Sequence, residues 1–273
     1  MNNPNHDIKF HQFHAGNWEE YNGGVITEAP VSLTVNGQVW LTFMCTPIQL
    51  EALAVGFLYN ERVIDAIDDV VDIRICPAGD NIDIWLRKSV ETPREWRRTS
   101  GCTGGYSALE LQRIENVSLN GFSITPGDIE KLVNKLFESQ DLYRKVGGVH
   151  TSVLSDGRDV ITMAEDIGRH NSLDKLAGLY LVNPSRLENK VIITTGRISS
   201  EMLQKSARIG AAVVISRTSP SSLSIRLAES YGITLVGYAR RDRFNVYSHA
   251  ERLITDSTAS LREAKENSTL FDN

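Results

Sequence analysis

The chain has 273 residues, 41% hydrophobic and 23% charged, with a formal net charge of −5. That is enough apolar material for a sizeable core without covalent staples, and the acidic balance argues against a general nucleic-acid binder. Three cysteines, Cys45, Cys76 and Cys102, are an odd number for a disulfide framework, and no stretch approaches the roughly 20 apolar residues that cross a bilayer, so a cytoplasmic protein away from the membrane is expected.

The first twenty or so residues show no sustained period and read as a loose arm or an edge strand. His6, His11 and His14 lie there without a companion cysteine or carboxylate cluster, and a polar tail is the better reading than a metal site. Residues 31–35 and 39–44 are β-rich runs joined through Asn36-Gly37, a pair that tolerates positive φ and favours a tight hairpin. Thr46-Pro47 then offers a capping hydroxyl and a proline for the first helical turn, ahead of an apolar face made by Ile48, Leu50, Leu53, Ala54, Phe57 and Leu58. Residues 70–75 and 82–87 alternate as strands around the turn at residues 77–81. Cys76 at a strand end and Cys45 beside the helix start read as small structural residues.

After Cys102 the texture changes. Thr125-Pro126 opens a helix to about Ser139, Gly147-Gly148 breaks the chain, and residues 151–154 and 160–164 flank Asp156-Gly157 as a hairpin. A helix follows over about residues 171–182, with Asn171 able to cap it. Strands at 191–195, 211–216 and 233–237 then alternate with helices at 199–209 and 221–231. After Tyr247 a peripheral helix and a polar tail are expected. The fold class is therefore α/β, α+β overall. A small N-terminal α+β unit spans residues 1–120 and ends in the Cys102 loop, and a layered α/β domain spans 121–273.

Candidate chemistry gathers in a few places. Arg97-Arg98-Thr99-Ser100-Gly101-Cys102-Thr103-Gly104-Gly105 sets a thiol between glycines and near two cations that favour thiolate. Local sequence alone leaves a nucleophile and a buried small residue in a turn equally open. Glu165, Asp166, Arg169 and His170 stand between a strand and a helix, the edge at which open α/β domains bind ligands, and a salt-bridged structural turn is the alternative. Gly196, Arg197 and Ser199 occupy the next junction, with glycine for close approach, arginine for an oxyanion and hydroxyls near a helix start that also serve as caps. The run around Arg217 repeats the theme. Tyr238, Ala239, Arg240, Arg241, Asp242 and Arg243 concentrate three arginines beside aromatics, which suits pyrophosphate and a flat ring, a solvated basic loop being the alternative.

Taken in order, these marks resemble the formate dehydrogenase accessory sulfurtransferases of the FdhD type. The resemblance runs from about Glu28 to Arg252. It is carried by Glu28-Ala29-Pro30, Thr46-Pro47 leading to residues 53–58, the Cys102 loop, Gly147-Gly148-Val149-His150, residues 165–171, Gly196-Arg197 with Ser199-Ser200-Glu201, and residues 243–247. It implies a sulfur carrier that takes persulfide sulfur from a cysteine desulfurase and passes it to the bis-molybdopterin guanine dinucleotide molybdenum cofactor of formate dehydrogenase. Cys102 matches the persulfide-carrying cysteine, and Tyr238 to Arg243 match the segment that binds the guanine dinucleotide. The C-terminal half is similar to the cytidine deaminase fold, without its zinc chemistry. A homodimer and no resident metal are further expectations. One departure matters: the family often has Cys-x-x-Cys, and Gly105 stands where the second thiol would be. That keeps open a second reading, a chaperone that carries the cofactor without transferring sulfur. A nucleotide deaminase is the third, and it lacks both His-x-Glu and Pro-Cys-x-x-Cys.

Overall fold

Residues 3–92, 97–98, 106–107, 122–184 and 187–254 are described by the structure, a computed structural model. Cys102, Gly105 and everything beyond residue 254 lie outside the described residues. The N-terminal stretch, expected as a loose arm or an edge strand, forms a two-stranded ribbon, β1 (Asn5–His14) and β2 (Asn17–Ile26). Ala15 and Gly16 at its tip both have positive φ, the backbone of the primed turns that match strand twist. The sequence left the choice open because both faces carry aromatics: Phe10 stacks on Tyr21, Phe13 leans on Trp18, and all four are exposed.

The expected hairpin follows as β3 (Ala29–Val35) and β4 (Gln38–Cys45), with Asn36 and Gly37 at φ 49° and 80°. With β5 (Val70–Ile75) and β6 (Asn81–Leu86) they build a four-stranded sheet in the order β4-β3-β6-β5. Val31, Leu33, Ile82 and Ile84 point from it onto α1 (Leu50–Asn60), which is buried on almost every side. A helix apolar all round belongs between two layers. Short strands β7 (Arg97–Arg98) and β8 (Tyr106–Ser107) pair antiparallel on either side of residues 99–105.

The second layer system holds α2 (Pro126–Ser139), α3 (Asp141–Val146), β9 (His150–Ser155), β10 (Val160–Asp166), α4 (Arg169–Val182), β11 (Lys190–Thr194), α5 (Ser200–Ile209), β12 (Ala211–Ser216), α6 (Ser222–Tyr231), β13 (Thr234–Gly237) and β14 (Asn245–Ser248). Its sheet runs β10-β9-β11-β12-β13-β14. Strands β11, β12 and β13 are parallel, and β9 is antiparallel to both β10 and β11. Ile129, Leu132, Val133 and Leu136 of α2 cover one face, while α4, α5 and α6 cover the other.

Helices α1 and α4 join the two systems at backbone distance. A Cβ on Gly56 would lie 1.7 Å from the Asp174 carbonyl oxygen, and one on Gly178 would lie 1.9 Å from that of Ala52. Buried charges stitch the same joint. Lys175 Nζ meets Asp166 Oδ2 at 2.6 Å and donates to Thr46 O, Lys205 Nζ holds both oxygens of Asp174, and Asn60 Nδ2 donates to Asp174 Oδ1 at 2.7 Å. Stripping one member of such a set leaves an uncompensated buried charge, which is more costly than never having built the pair.

Two expectations are corrected here. Thr46 does not cap α1, which begins at Leu50 after Gln49 in the left-handed region; its hydroxyl instead accepts from Ile167 N. Asn171 does not cap α4, which already starts at Arg169; its amide donates to Met44 O and Asp166 Oδ1. After Tyr247 the described chain completes β14 and makes one 3-10 turn, Ala250–Arg252, and the remainder of the expected peripheral helix and tail lies outside the described residues. Among the described residues, no helix is long and apolar enough to cross a membrane.

Candidate functional site

Parallel strands deliver their loops to one edge, so the junctions after β10, β11, β12 and β13 all arrive together, along with the starts of β9 and β14. The sequence candidates separate there into two kinds. Glu165 and Asp166 are structural. The Glu165 carboxylate accepts from Leu142 N and Tyr143 N at the start of α3 and from the Thr151 hydroxyl, while Asp166 accepts from Thr46 N, Gly168 N and Asn171. Ser199 caps α5 through Met202 N and donates to Glu201 Oε2 at 2.9 Å. Ala239 is fully buried in the apolar layer under α2, so it shapes the loop without facing a ligand.

The remaining candidates form two clusters of cations. In the first, His150 pairs across the ladder with Asp166, and its Nδ1 lies 3.3 Å from Thr195 Oγ1. Burial, then the nearby charges of Arg169, His170 and Arg197, hold this imidazole below its ordinary pKa. His170 is also held low, by burial first, with Lys205 and Arg169 adding to it and Glu201 opposing. Its Nε2 stands 3.7 Å from Glu201 Oε2, and that proximity together with the Ser199 hydroxyl keeps the Glu201 carboxyl low. Gly196 is needed here for space, since a Cβ would come within 2.9 Å of Arg169 Cβ.

In the second cluster, the Arg217 guanidinium lies 4.1 Å over the Phe137 ring of α2, with Arg241 at 6.0 Å from the same ring. Arg240 Nη1 donates to Arg217 O at 2.6 Å, and Arg240 N donates to Arg243 O, closing a tight loop. Burial and the Arg240 charge push the Arg217 pKa down. Among the described residues, Arg197, Arg217, Arg240, Arg241 and Arg243 make no ion pair with a carboxylate. Tyr238, Arg240, Arg243 and Asn245 line a pocket of about 310 Å³, with Tyr238 held at φ 52° and exposed. Asp242 is exposed at the tip of the same loop. Arginines that make no ion pair among the described residues, beside exposed aromatic surface, are suited to an extended anion that carries a flat ring.

Sequence reading gave His150 and Phe137 no role and treated Arg217 only as part of a repeated theme. The signal available for Arg217 and His150 was their position at a strand terminus on the shared edge. Phe137 gave none, because its partner guanidinium lies in another layer.

Comparison with known proteins follows the same outline. A sequence model of the FdhD/NarQ family matches residues 26–254. The sulfur carrier protein FdhD of Staphylococcus aureus strain MRSA252 is 35% identical over 235 residues, covering 84% of this chain and 89% of that protein, and the protein of strain Newman matches to the same extent. A crystal structure from Desulfotalea psychrophila, assigned as a formate dehydrogenase accessory protein, superposes with a TM-score of 0.76 at 28% identity, covering 92% of this chain and 100% of that one.

Proposed function

The chain belongs to the FdhD/NarQ family, whose relatives include sulfur carriers and a formate dehydrogenase accessory protein, and from that premise we propose how it works. It accepts persulfide sulfur from a cysteine desulfurase on Cys102 and passes it to the bis-molybdopterin guanine dinucleotide molybdenum cofactor before that cofactor enters formate dehydrogenase in the cytoplasm. In the loading step the Cys102 thiolate attacks the outer sulfur of the donor's persulfide. The donor's S–S bond breaks, its thiolate leaves, and a new S–S bond forms on Cys102 with no net redox change. The guanine dinucleotide arm lies along the sheet edge, with the base toward Tyr238 and the phosphates toward Arg240, Arg243 and Arg217. Arg169, His170, Gly196 and Arg197 extend the anion-holding surface.

The observation that carries this reading is the set of arginines converging on one sheet edge without carboxylate partners among the described residues. Because the cofactor has two nucleotide arms, two copies of the chain serve one ligand, and the exposed aromatic ribbon β1–β2 is the surface we assign to their contact. Intact-mass spectrometry after incubation with a desulfurase and cysteine should show a labile gain of one sulfur on Cys102. Its absence overturns the carrier role.

Gly105, in place of a second thiol, favours the alternative of a cofactor-binding chaperone without sulfur transfer. Complementation separates the two: Cys102→Ala abolishes formate dehydrogenase maturation under the carrier reading and leaves it intact under the chaperone reading.

A further inference from the structure

The end of β14 is held by a histidine whose hydrogen bonds fix its charge. His249 follows β14 directly and stands in the left-handed region at φ 48° and ψ 52°, a backbone that a residue with a side chain keeps only where its surroundings hold it there. Its Nδ1 lies 2.8 Å from Glu251 Oε1, and its Nε2 lies 3.0 Å from Glu229 O near the C-terminal end of α6. A carbonyl oxygen and a carboxylate both accept hydrogen bonds and cannot donate them. The Glu251 carboxyl is held below its ordinary range, first by its own backbone N–H and then by the His249 ring, so it is ionised near neutral pH. Both ring nitrogens therefore donate, which only the imidazolium can do.

That ring anchors a strap. Beyond it, Ile124 N donates to Arg252 O at 3.0 Å and Ile254 N donates to Ile124 O at 3.1 Å. Ile124 leads into Thr125, the cap of α2, and α2 carries Phe137 beneath Arg217. In the other direction β14 runs back to Asn245 in the wall of the Tyr238 pocket. His249 thus stands at the far end of an edge strand whose near end belongs to the candidate site.

We propose that His249 is a proton-operated latch, which as an imidazolium fastens the end of β14 and the strap 250–254 to α6 and on losing its proton lets them open. In the neutral ring one nitrogen turns its lone pair toward an acceptor oxygen, so one of the two contacts is lost, and with it part of what holds the left-handed backbone. The groups facing the ring are the Glu229 carbonyl of α6, Glu251 and Arg252 of the strap, and the Thr234 hydroxyl of β13, which donates to His249 O. Arg252 is buried and directs its guanidinium at Ala212 O, Gly232 O and Thr234 Oγ1, which leaves Glu251 as the carboxylate that favours the charged ring. The latch is closed while the ring is protonated, and it opens as pH rises through the range of about 5 to 8 in which an imidazole gives up its proton. At the acid end it persists below the ordinary carboxylate range, because a depressed carboxyl contributes above its unfolded value and stops contributing only as pH falls through its folded one. The Glu251 side chain is 67% exposed, and solvent screening limits the effect to about two- to fivefold in the opening equilibrium.

The test is amide hydrogen exchange of the full-length chain at about pH 5.5 and about pH 8, with rates corrected for the intrinsic effect of pH. Leu253, Ile254 and Ile124 report the strap, and Val213 and Val214 inside β12 are the reference. Strap protection should fall about two- to fivefold at the higher pH while the reference holds. H249N tolerates the left-handed backbone without a titrating ring and should show no such fall, whereas E251Q, whose amide can donate to a neutral ring, should diminish it. Nitrogen-15 spectra at about pH 5.5 should show both His249 ring nitrogens protonated, the signal being identified by its absence in H249N. Equal strap protection at both pH values in the wild type, a single protonated ring nitrogen at the lower pH, or a fall retained in H249N would each overturn the latch.

Discussion

Replacing Gly56 with alanine should pry α1 away from α4. The added Cβ would sit 1.7 Å from Asp174 O and 2.6 Å from Gly178 N, and these are backbone atoms that cannot swing aside. Contacts under 3.0 Å are essentially never seen, so the helices must part by roughly 1.3 Å, the shortfall between 1.7 and 3.0 Å. Overpacking of that kind costs about 1–3 kcal/mol, and the shift also strains the charged hydrogen bond from Asn60 to Asp174, worth about 1.5–3 kcal/mol. The combined loss is about 2.5–6 kcal/mol, a large share of the roughly 5–15 kcal/mol that holds a domain folded. Urea unfolding followed by circular dichroism reads it as a lower midpoint. Gly127→Ala is the control, since its Cβ would meet only Thr125 Oγ1 at 3.8 Å, and it should stay within about 0.5 kcal/mol of wild type. If G56A is as stable as G127A, the close helix crossing is wrong, and with it the account of how the two layer systems are joined.

Lys175→Met leaves the fully buried Asp166 carboxylate without its cation and should cost about 3–5 kcal/mol, with D166L/K175M recovering part of that in a double-mutant cycle; equal losses for the single and double variants would refute the pairing. Cys45 is buried beside Asp166 and its thiol pKa is pushed up to about 12, by desolvation first. Its folded pKa exceeds its unfolded value, so its contribution is fully present below about pH 9 and is lost as pH rises toward 12, by at most about 1.4 kcal/mol per unit. Unfolding free energies of wild type and C45A should therefore converge or cross above that pH, and parallel curves would count against it. Arg217→Ala should weaken guanosine diphosphate by about 10–100-fold at low salt in calorimetry, with the difference shrinking at high salt; an unchanged affinity would remove Arg217 from the site.

Signals that act over a few residues were legible in advance. Asn36-Gly37 predicts its hairpin because two positive φ angles are required there, and Thr125-Pro126 predicts the start of α2 because Thr125 closes a capping box with Asp128. The alternation of strands and helices after His150 likewise predicts a parallel sheet whose junctions share an edge. The candidate loops containing Arg169, Arg197 and Arg240 were found for that reason alone. The same local rules misread Thr46 and Asn171 as caps, since each is engaged by partners roughly 120 residues away, Ile167 and Met44 respectively.

By itself, the sequence determined the fold class, the order of elements and which loops bring arginines to the sheet edge, because periodicity and turn chemistry are local. Only the tertiary structure decided that Glu165, Asp166 and Ser199 serve the scaffold, that Phe137 underlies Arg217, and that His150 and His170 meet two arginines. The physical reason is that a polar side chain is assigned by the partner it reaches, and those partners come from other layers of the fold.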